Sequence, residues 1–234
     1  NKYLLPFAEK IFVSYKALEG IQEKYKHKIF EAGNIVREEI LKSGINNDLI
    51  DRIDNLNILV LGGSQAARVF AQELPQIFEN LKNSGIPLKV YQQCQKEQNN
   101  QLMQFYKKAN IESEIFNFTN QIIDYYFKAN LVITRSGASV LGELINVTLP
   151  FISIPLPSSA DNHQYKNAKF YEKKGLGYFL DEKNIKNQLY DVINSIFNDK
   201  TLIKKIISNQ RQYSDKNIFS NLNAELEKIF NDKN

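Results

Sequence analysis

The stretch "NILVLGGSQAAR" (57–68) decides the fold. Ile58 to Leu61 is an unbroken apolar run, as in a strand buried on both faces. Gly62 and Gly63 then interrupt it. From Ser64 onward the pattern turns helical, with Phe70, Leu74, Ile77, Phe78 and Leu81 on one side. Strand, glycine turn and helix together make the opening of a βα unit. Pro75 falls inside the helical pattern and is expected to kink or split it.

The same alternation continues outward. Strands are expected at "PLKVYQQ" (87–93), "SEIFNF" (113–118), "LVITR" (131–135), "PFISIPL" (150–156) and "GYFL" (177–180). Helical patterns lie between them, around residues 100–109, 121–129, 138–147 and 162–174. A unit repeated in this way predicts an α/β fold with a doubly wound, mostly parallel sheet, its ligand held beyond the carboxyl ends of the strands. Residues 183–234 read as helical, with a break near "RQYSDKN" (211–217). Upstream, "KIFVS" (10–14) and "KIFEAG" (28–33) are expected strands around a helical segment.

Composition bounds the function. The 234 residues are 43% hydrophobic, enough for one large core or two modest ones. No apolar run approaches the roughly 20 residues of a membrane span. One cysteine, Cys94, cannot form a disulfide framework, and the N-terminus does not read as a secretory signal, so a cytoplasmic setting is expected. The formal charge of +4 is spread without a basic tract, and no nucleic-acid partner is expected. The chain opens on Asn1 and its one methionine is Met103, so it is expected to be part of a longer protein.

Three stretches carry candidate chemistry. In the first, Gly62 and Gly63 either make a simple turn or let a phosphate approach amides left unpaired at a helix start. The stretch is neither a Walker loop nor the GxGxxG fingerprint, which argues against ATP and NAD chemistry. The second, "RSGASVLGEL" (135–144), repeats the strand-to-helix junction with the small residues Ser136, Gly137, Ala138 and Ser139. Two such helix starts facing one cleft suit the two phosphates of a diphosphate. Glu143, further along, is either a solvated helix residue or an acceptor for ribose hydroxyls. The third is "PLPSSADNHQYKNAKF" (155–170), where His163, Gln164 and Asn167 fall three to four residues apart. They read as surface groups or as hydrogen-bonding partners for sugar hydroxyls. His27 is the other histidine, and no spacing resembles a metal site.

Taken in order, "GNIVRE" (33–38), "LGGSQAAR" (61–68), "RSGASVLGEL" (135–144) and "PLPSSADNHQYKNA" (155–168) resemble the MurG family of bacterial cell-wall glycosyltransferases, glycosyltransferase family 28. The resemblance runs over nearly the whole chain. It implies a Rossmann-like domain, the C-terminal donor-binding half of a GT-B enzyme that transfers GlcNAc from UDP-GlcNAc onto lipid I to form lipid II. It divides the chain into the end of an acceptor domain (1–36), a donor domain (37–215) and a C-terminal helix (216–234) that packs on the absent half. Arg37 and Ser64 are implied to contact the donor, with Gly62, Gly63 and Gln65 around the diphosphate. Thr119 would read uracil through its backbone, Ala138, Ser139 and Val140 would flank the phosphates, and Glu143 would bind the ribose. His163, Gln164 and Asn167 would hold the sugar.

No cofactor is implied. The catalytic base and the membrane-docking patch, at the cytoplasmic face of the inner membrane, are implied to lie in the other half. Three positions depart from the family pattern. Ile35 stands where proline is usual, Ala66 where glycine is usual and Val140 where threonine is common, so weakened donor binding is expected. Two other readings remain: the donor-binding subunit of a two-chain GlcNAc transferase, and a non-catalytic nucleotide-sugar-binding remnant.

Overall fold

The run that opens the reading forms β3 (Leu56–Leu61), and its side chains are almost all buried, as an apolar strand covered on both faces requires. In the computed structural model the described residues are 3–14, 21–44, 49, 54–213 and 218–231, without the side chains of 64–67. The strands β3, β4 (Leu88–Gln93), β5 (Glu112–Phe116), β6 (Leu131–Thr134), β7 (Phe151–Ser153) and β8 (Tyr178–Phe179) form one sheet in the order β5-β4-β3-β6-β7-β8. Every pairing in it is parallel. This is the expected doubly wound sheet. The chain runs outward from β3 to one edge and returns to build the other half from β6.

Helices α2 (Gly63–Asn83), α3 (Asn99–Lys108), α4 (Ile122–Lys128), α5 (Ala138–Asn146) and α6 (His163–Lys173) connect successive strands. The pairing of β3 with β6 is fixed where both strands begin. Asn130 donates its backbone N–H to Asn57 O at 2.9 Å, and its side-chain oxygen accepts from Asn57 N at 2.9 Å. Of the kink or split expected at Pro75, the split does not occur, since α2 runs continuously through it. A mid-helix proline costs about 3 kcal/mol through one lost hydrogen bond and a ring clash. Phe70, Leu74, Phe78 and Leu81 are fully buried on the same helix, and each contributes about 1.5–3 kcal/mol, which outweighs that cost.

The C-terminal region holds α7 (Ile185–Asn198), α8 (Lys200–Gln212) and α9 (Ile218–Asn231). The break at Asp199 was not among the expected ones. Its side chain caps α8 by accepting from Thr201 N at 2.9 Å and Thr201 Oγ1 at 2.6 Å. The expected break near 211–217 falls between α8 and α9, and residues 214–217 lie outside the described ones. Buried Gln210 ties α8 to the sheet by donating to Leu149 O and Leu176 O.

Upstream, β1 (Ile11–Val13) and β2 (Ile29–Glu31) pair in parallel as a separate two-stranded sheet, with a 3₁₀ turn at Glu23–Lys28 between them. The short helix α1 (Glu38–Lys42) follows. Gly142 lets this upstream segment lie directly on α5, because a Cβ there would meet Asn34 Cβ at 2.8 Å and Val36 Cγ1 at 3.2 Å.

Candidate functional site

The sheet order reverses between β3 and β6, and at such a switch point the connections leave in opposite directions and open a crevice. A cleft of about 510 Å³ lies there, lined by Leu61, Gly62 and Gly63 after β3 and by Thr134, Arg135 and Gly137 after β6. Gly63 sits at φ 65°, in the left-handed region that favours glycine. Gly62, at φ −86°, has a backbone any residue adopts. The Gly63 amide donates to the side-chain oxygen of Gln93 at 3.3 Å.

On the other side, Gly137 precedes α5 without a side-chain cap. Gly137, Val140 and Glu143 line the cleft. Ala138 and Ser139 instead line a smaller hollow of about 170 Å³, facing Gly33, Asn34 and Ile35. The start of α5 therefore stands between two cavities.

Glu143 is 9% exposed and its carboxylate is heavily engaged. Arg37 Nε donates to Oε1 at 2.8 Å, Arg37 Nη2 to Oε2 at 3.0 Å, and the Tyr126 hydroxyl to Oε2 at 2.7 Å. This hydrogen bonding raises the Arg37 pKa above its ordinary value, against a smaller opposing effect of burial. The Tyr126 phenol is raised well above its usual range, first by burial and then by the Glu143 charge. A carboxylate offers about four acceptor positions, and three are filled here. One further hydroxyl fits without disturbing Arg37, whereas two would require a contact to be given up.

A second ion pair borders the cleft through Arg135. Arg135, 6% exposed, pairs with Glu182 at 2.5 Å, donates to Ile154 O and Pro155 O, and stacks its guanidinium over Phe70. Burial lowers its pKa and Glu182 opposes that effect. The wall at the β5 end is apolar, with Ile122, Tyr126 and Phe118, the last 80% exposed. Thr119 lines the cleft beside them, and its hydroxyl accepts from Gln121 N at 2.9 Å.

At the far end Gln164 lines the cleft, and its side-chain oxygen accepts from Leu156 N at 2.9 Å and Ser136 N at 3.3 Å. It thereby joins the loops after β6 and β7. Asn167 is buried and donates to Ser136 O at 3.0 Å, which anchors the Ser136 loop to α6. His163 is exposed, with Nδ1 2.7 Å from Ala160 O. Neither His163 nor Asn167 lines the cleft.

Of the residues singled out in the sequence, the structure gathers Arg37, Gly62, Gly63, Thr119, Val140, Glu143 and Gln164 around one cleft. The side chains of Ser64 and Gln65 lie outside the described residues. Sequence reasoning missed Gln93, Phe118, Tyr126 and Arg135 as lining residues. Gln93 could have been found as the last residue of the strand expected at 87–93, and Arg135 and Phe118 as direct neighbours of singled-out residues. Tyr126 gave no local signal. Among the described residues no group of three or more His, Cys, Asp or Glu side chains could hold a metal ion. No described helix is long and apolar enough to cross a membrane.

A parallel sheet of this order with its cleft at the switch point is a doubly wound, Rossmann-like ligand-binding domain. The solved structure of Acinetobacter baumannii MurG superposes with a TM-score of 0.70 at 25% identity, over 81% of this chain and 55% of that one. The Staphylococcus aureus MnaA structure, 14% identical with a TM-score of 0.60, shares the fold. The chain belongs to glycosyltransferase family 28, whose C-terminal domain matches residues 57–222. The UDP-N-acetylglucosamine--N-acetylmuramyl-(pentapeptide) pyrophosphoryl-undecaprenol N-acetylglucosamine transferase of Pelagibacter ubique is 34% identical over 236 residues, covering 99% of this chain and 64% of that protein. The protein of the same name from Rickettsia canadensis is 35% identical over 235 residues, covering 97% of this chain and 65% of that one. The chain thus spans just under two thirds of these curated relatives.

Proposed function

We propose that this chain is the donor-binding part of an inverting hexosyltransferase that moves GlcNAc from UDP-GlcNAc to lipid I, forming lipid II at the cytoplasmic face of the inner membrane. The observation that carries the reading is the meeting of the α2 and α5 starts, the Arg37–Glu143 pair and an apolar wall in one cleft at the switch point. Phosphate oxygens suit the two helix starts, where peptide N–H groups and the helix dipole favour negative charge. A uracil ring suits the wall of Phe118 and Ile122 beside Thr119. The ribose suits the remaining acceptor position of Glu143, and the sugar lies toward Gln164.

In transfer, the acceptor hydroxyl displaces UDP at the anomeric carbon while negative charge grows on the leaving diphosphate. Donors fixed in place before reaction stabilise that charge without reorganisation. Glu143 is the one carboxylate lining the cleft among the described residues, and three hydrogen bonds occupy it. We therefore assign it to donor binding and place the base in the acceptor half. Residues 1–36 are read as the end of that half, 37–215 as the donor domain and 216–234 as its closing helix.

Titration calorimetry of the full 234-residue chain tests the reading. UDP and UDP-GlcNAc are expected to bind, and Glu143→Ala to weaken both. Absence of UDP-dependent heat at millimolar ligand refutes it.

A further inference from the structure

Gln93 belongs to none of the motifs, yet it occupies the middle of the cleft's nucleotide side. It ends β4, which lies between β3 and β5, so its side chain stands between the loops that follow both neighbours. One end of its carboxamide accepts from Gly63 N at 3.3 Å, and the other donates to Asn117 O at 3.1 Å. These partners fix its orientation, since an N–H is met by oxygen and a carbonyl by nitrogen.

Asn117 is itself held from behind. Its amide donates to Cys94 O at 2.9 Å and Asn99 Oδ1 at 2.8 Å, and its oxygen accepts from Asn99 at 3.2 Å. The buried Cys94 thiol donates to Asn99 Oδ1 at 3.1 Å. The network therefore anchors the loop after β5, and Gln93 carries that anchorage across to the glycine turn.

We propose that Gln93 is a positioning residue that sets the separation between the Gly62–Gly63 turn and the loop at 117–119, so that a nucleoside diphosphate engages both as one ligand. The inference rests on the donor-binding reading and adds a device for joining its two subsites. In this arrangement a phosphate oxygen shares the Gly63 N–H with Gln93, and the bond to Gln93 is kept. The turn already stands where the ligand needs it, which lowers the ordering cost of binding. Glutamine suits the task because it carries an acceptor and a donor on one rigid plane. Asparagine is one methylene short, and methionine fills the space without either group.

The test compares wild-type chain with Gln93→Met by calorimetry against UDP, uridine and inorganic pyrophosphate, with thermal melts alongside. Loss of the fixed separation raises the ordering cost of binding, and UDP binding is expected to weaken about tenfold. Uridine and pyrophosphate, each touching one loop, should change by less than about twofold. UDP binding within about twofold of wild type overturns the proposal, as does an equal loss for all three ligands, which marks general damage. If Gln93→Met does not fold, Gln93→Asn is read by the same criteria. A wild-type chain that binds no UDP refutes the donor reading itself and the proposal with it.

Discussion

Replacing Glu143 with Gln removes one charge and one acceptor from a site where three donors converge. Gln keeps a single oxygen and presents an NH2 group in place of the other. Tyr126 can turn its hydroxyl to accept from that NH2, but the guanidinium has no acceptor to offer. The Arg37 Nη2 contact, 3.0 Å in the native chain, is therefore lost together with the ionic attraction. A charge-assisted hydrogen bond contributes about 1.5–3 kcal/mol in a buried setting. The Arg37 side chain is 45% exposed and regains water when released, which reduces the cost to about 1–2 kcal/mol. For a chain of this size that is a fall of about 2–8 °C in melting temperature.

The reverse truncation is asymmetric. Arg37→Met leaves a carboxylate whose side chain is 11% exposed with Tyr126 as its remaining hydrogen-bond partner, and desolvation makes that the worse defect at pH 7. Adding Glu143→Gln to Arg37→Met should then recover stability, because it removes the stranded buried charge. Urea or thermal unfolding of the four proteins closes the double-mutant cycle. If Arg37→Met is no worse than Glu143→Gln, and the double variant shows no rescue, the ion pair does not hold the cleft in the way described.

Gly142→Ala drives a methyl to within 2.8 Å of Asn34 Cβ and lifts the segment carrying Arg37 off α5, so calorimetry should show weaker UDP binding with only modest loss of melting temperature. Gly177→Ala places its Cβ 2.3 Å from the buried Phe151 ring, and such overpacking should cost about 1–3 kcal/mol in thermal unfolding, with no specific effect on UDP. Glu225 on α9 is held below the ordinary carboxylate pKa by hydrogen bonds from Lys10 and then Lys228. Its contribution is complete above the unfolded value near 4.5 and is lost as the pH falls through the lower folded value. The gap in urea midpoint between wild type and Lys10→Met should accordingly close in acid.

The parallel sheet was legible because its strands are buried on both faces and read as continuous apolar runs. The turn at Gly62–Gly63 was legible because two glycines end an apolar run just before a helical pattern, though the backbone requires glycine only at 63. Hydrogen-bond partners across the chain were not legible. Nothing near Glu143 in sequence announces that Arg37, 106 residues away, would neutralise it. Spacing on α6 put His163, Gln164 and Asn167 on neighbouring positions, but periodicity cannot say which of them turns to the cleft. The Asn167–Ser136 bond drew Asn167 inward to serve the backbone, while His163 remained at the surface. The break at Asp199 had a local signal, since Asn198, Asp199 and Thr201 are weak helix formers and Asp is a favoured N-cap, but the apolar periodicity continuing on both sides of it masked the cap.

The pairing of both cleft arginines bears on how a diphosphate would be held and released. Arg37 is matched by Glu143 and Arg135 by Glu182, so neither offers an uncompensated positive charge. Charge on the ligand must then be met largely by peptide N–H groups at the starts of α2 and α5, which are fixed dipoles that neither titrate nor need reorganising. A pair of bare arginines would bind the diphosphate more tightly before and after transfer alike, and uniform binding of that kind lowers KM and slows product release without raising kcat. On the proposed donor reading, paired arginines with oriented amides would favour the moment when charge grows on the leaving oxygen. They also make nucleotide affinity depend less on ionic strength than exposed cations would, because the ion pairs are buried or half-buried and the dipoles act within a few ångströms.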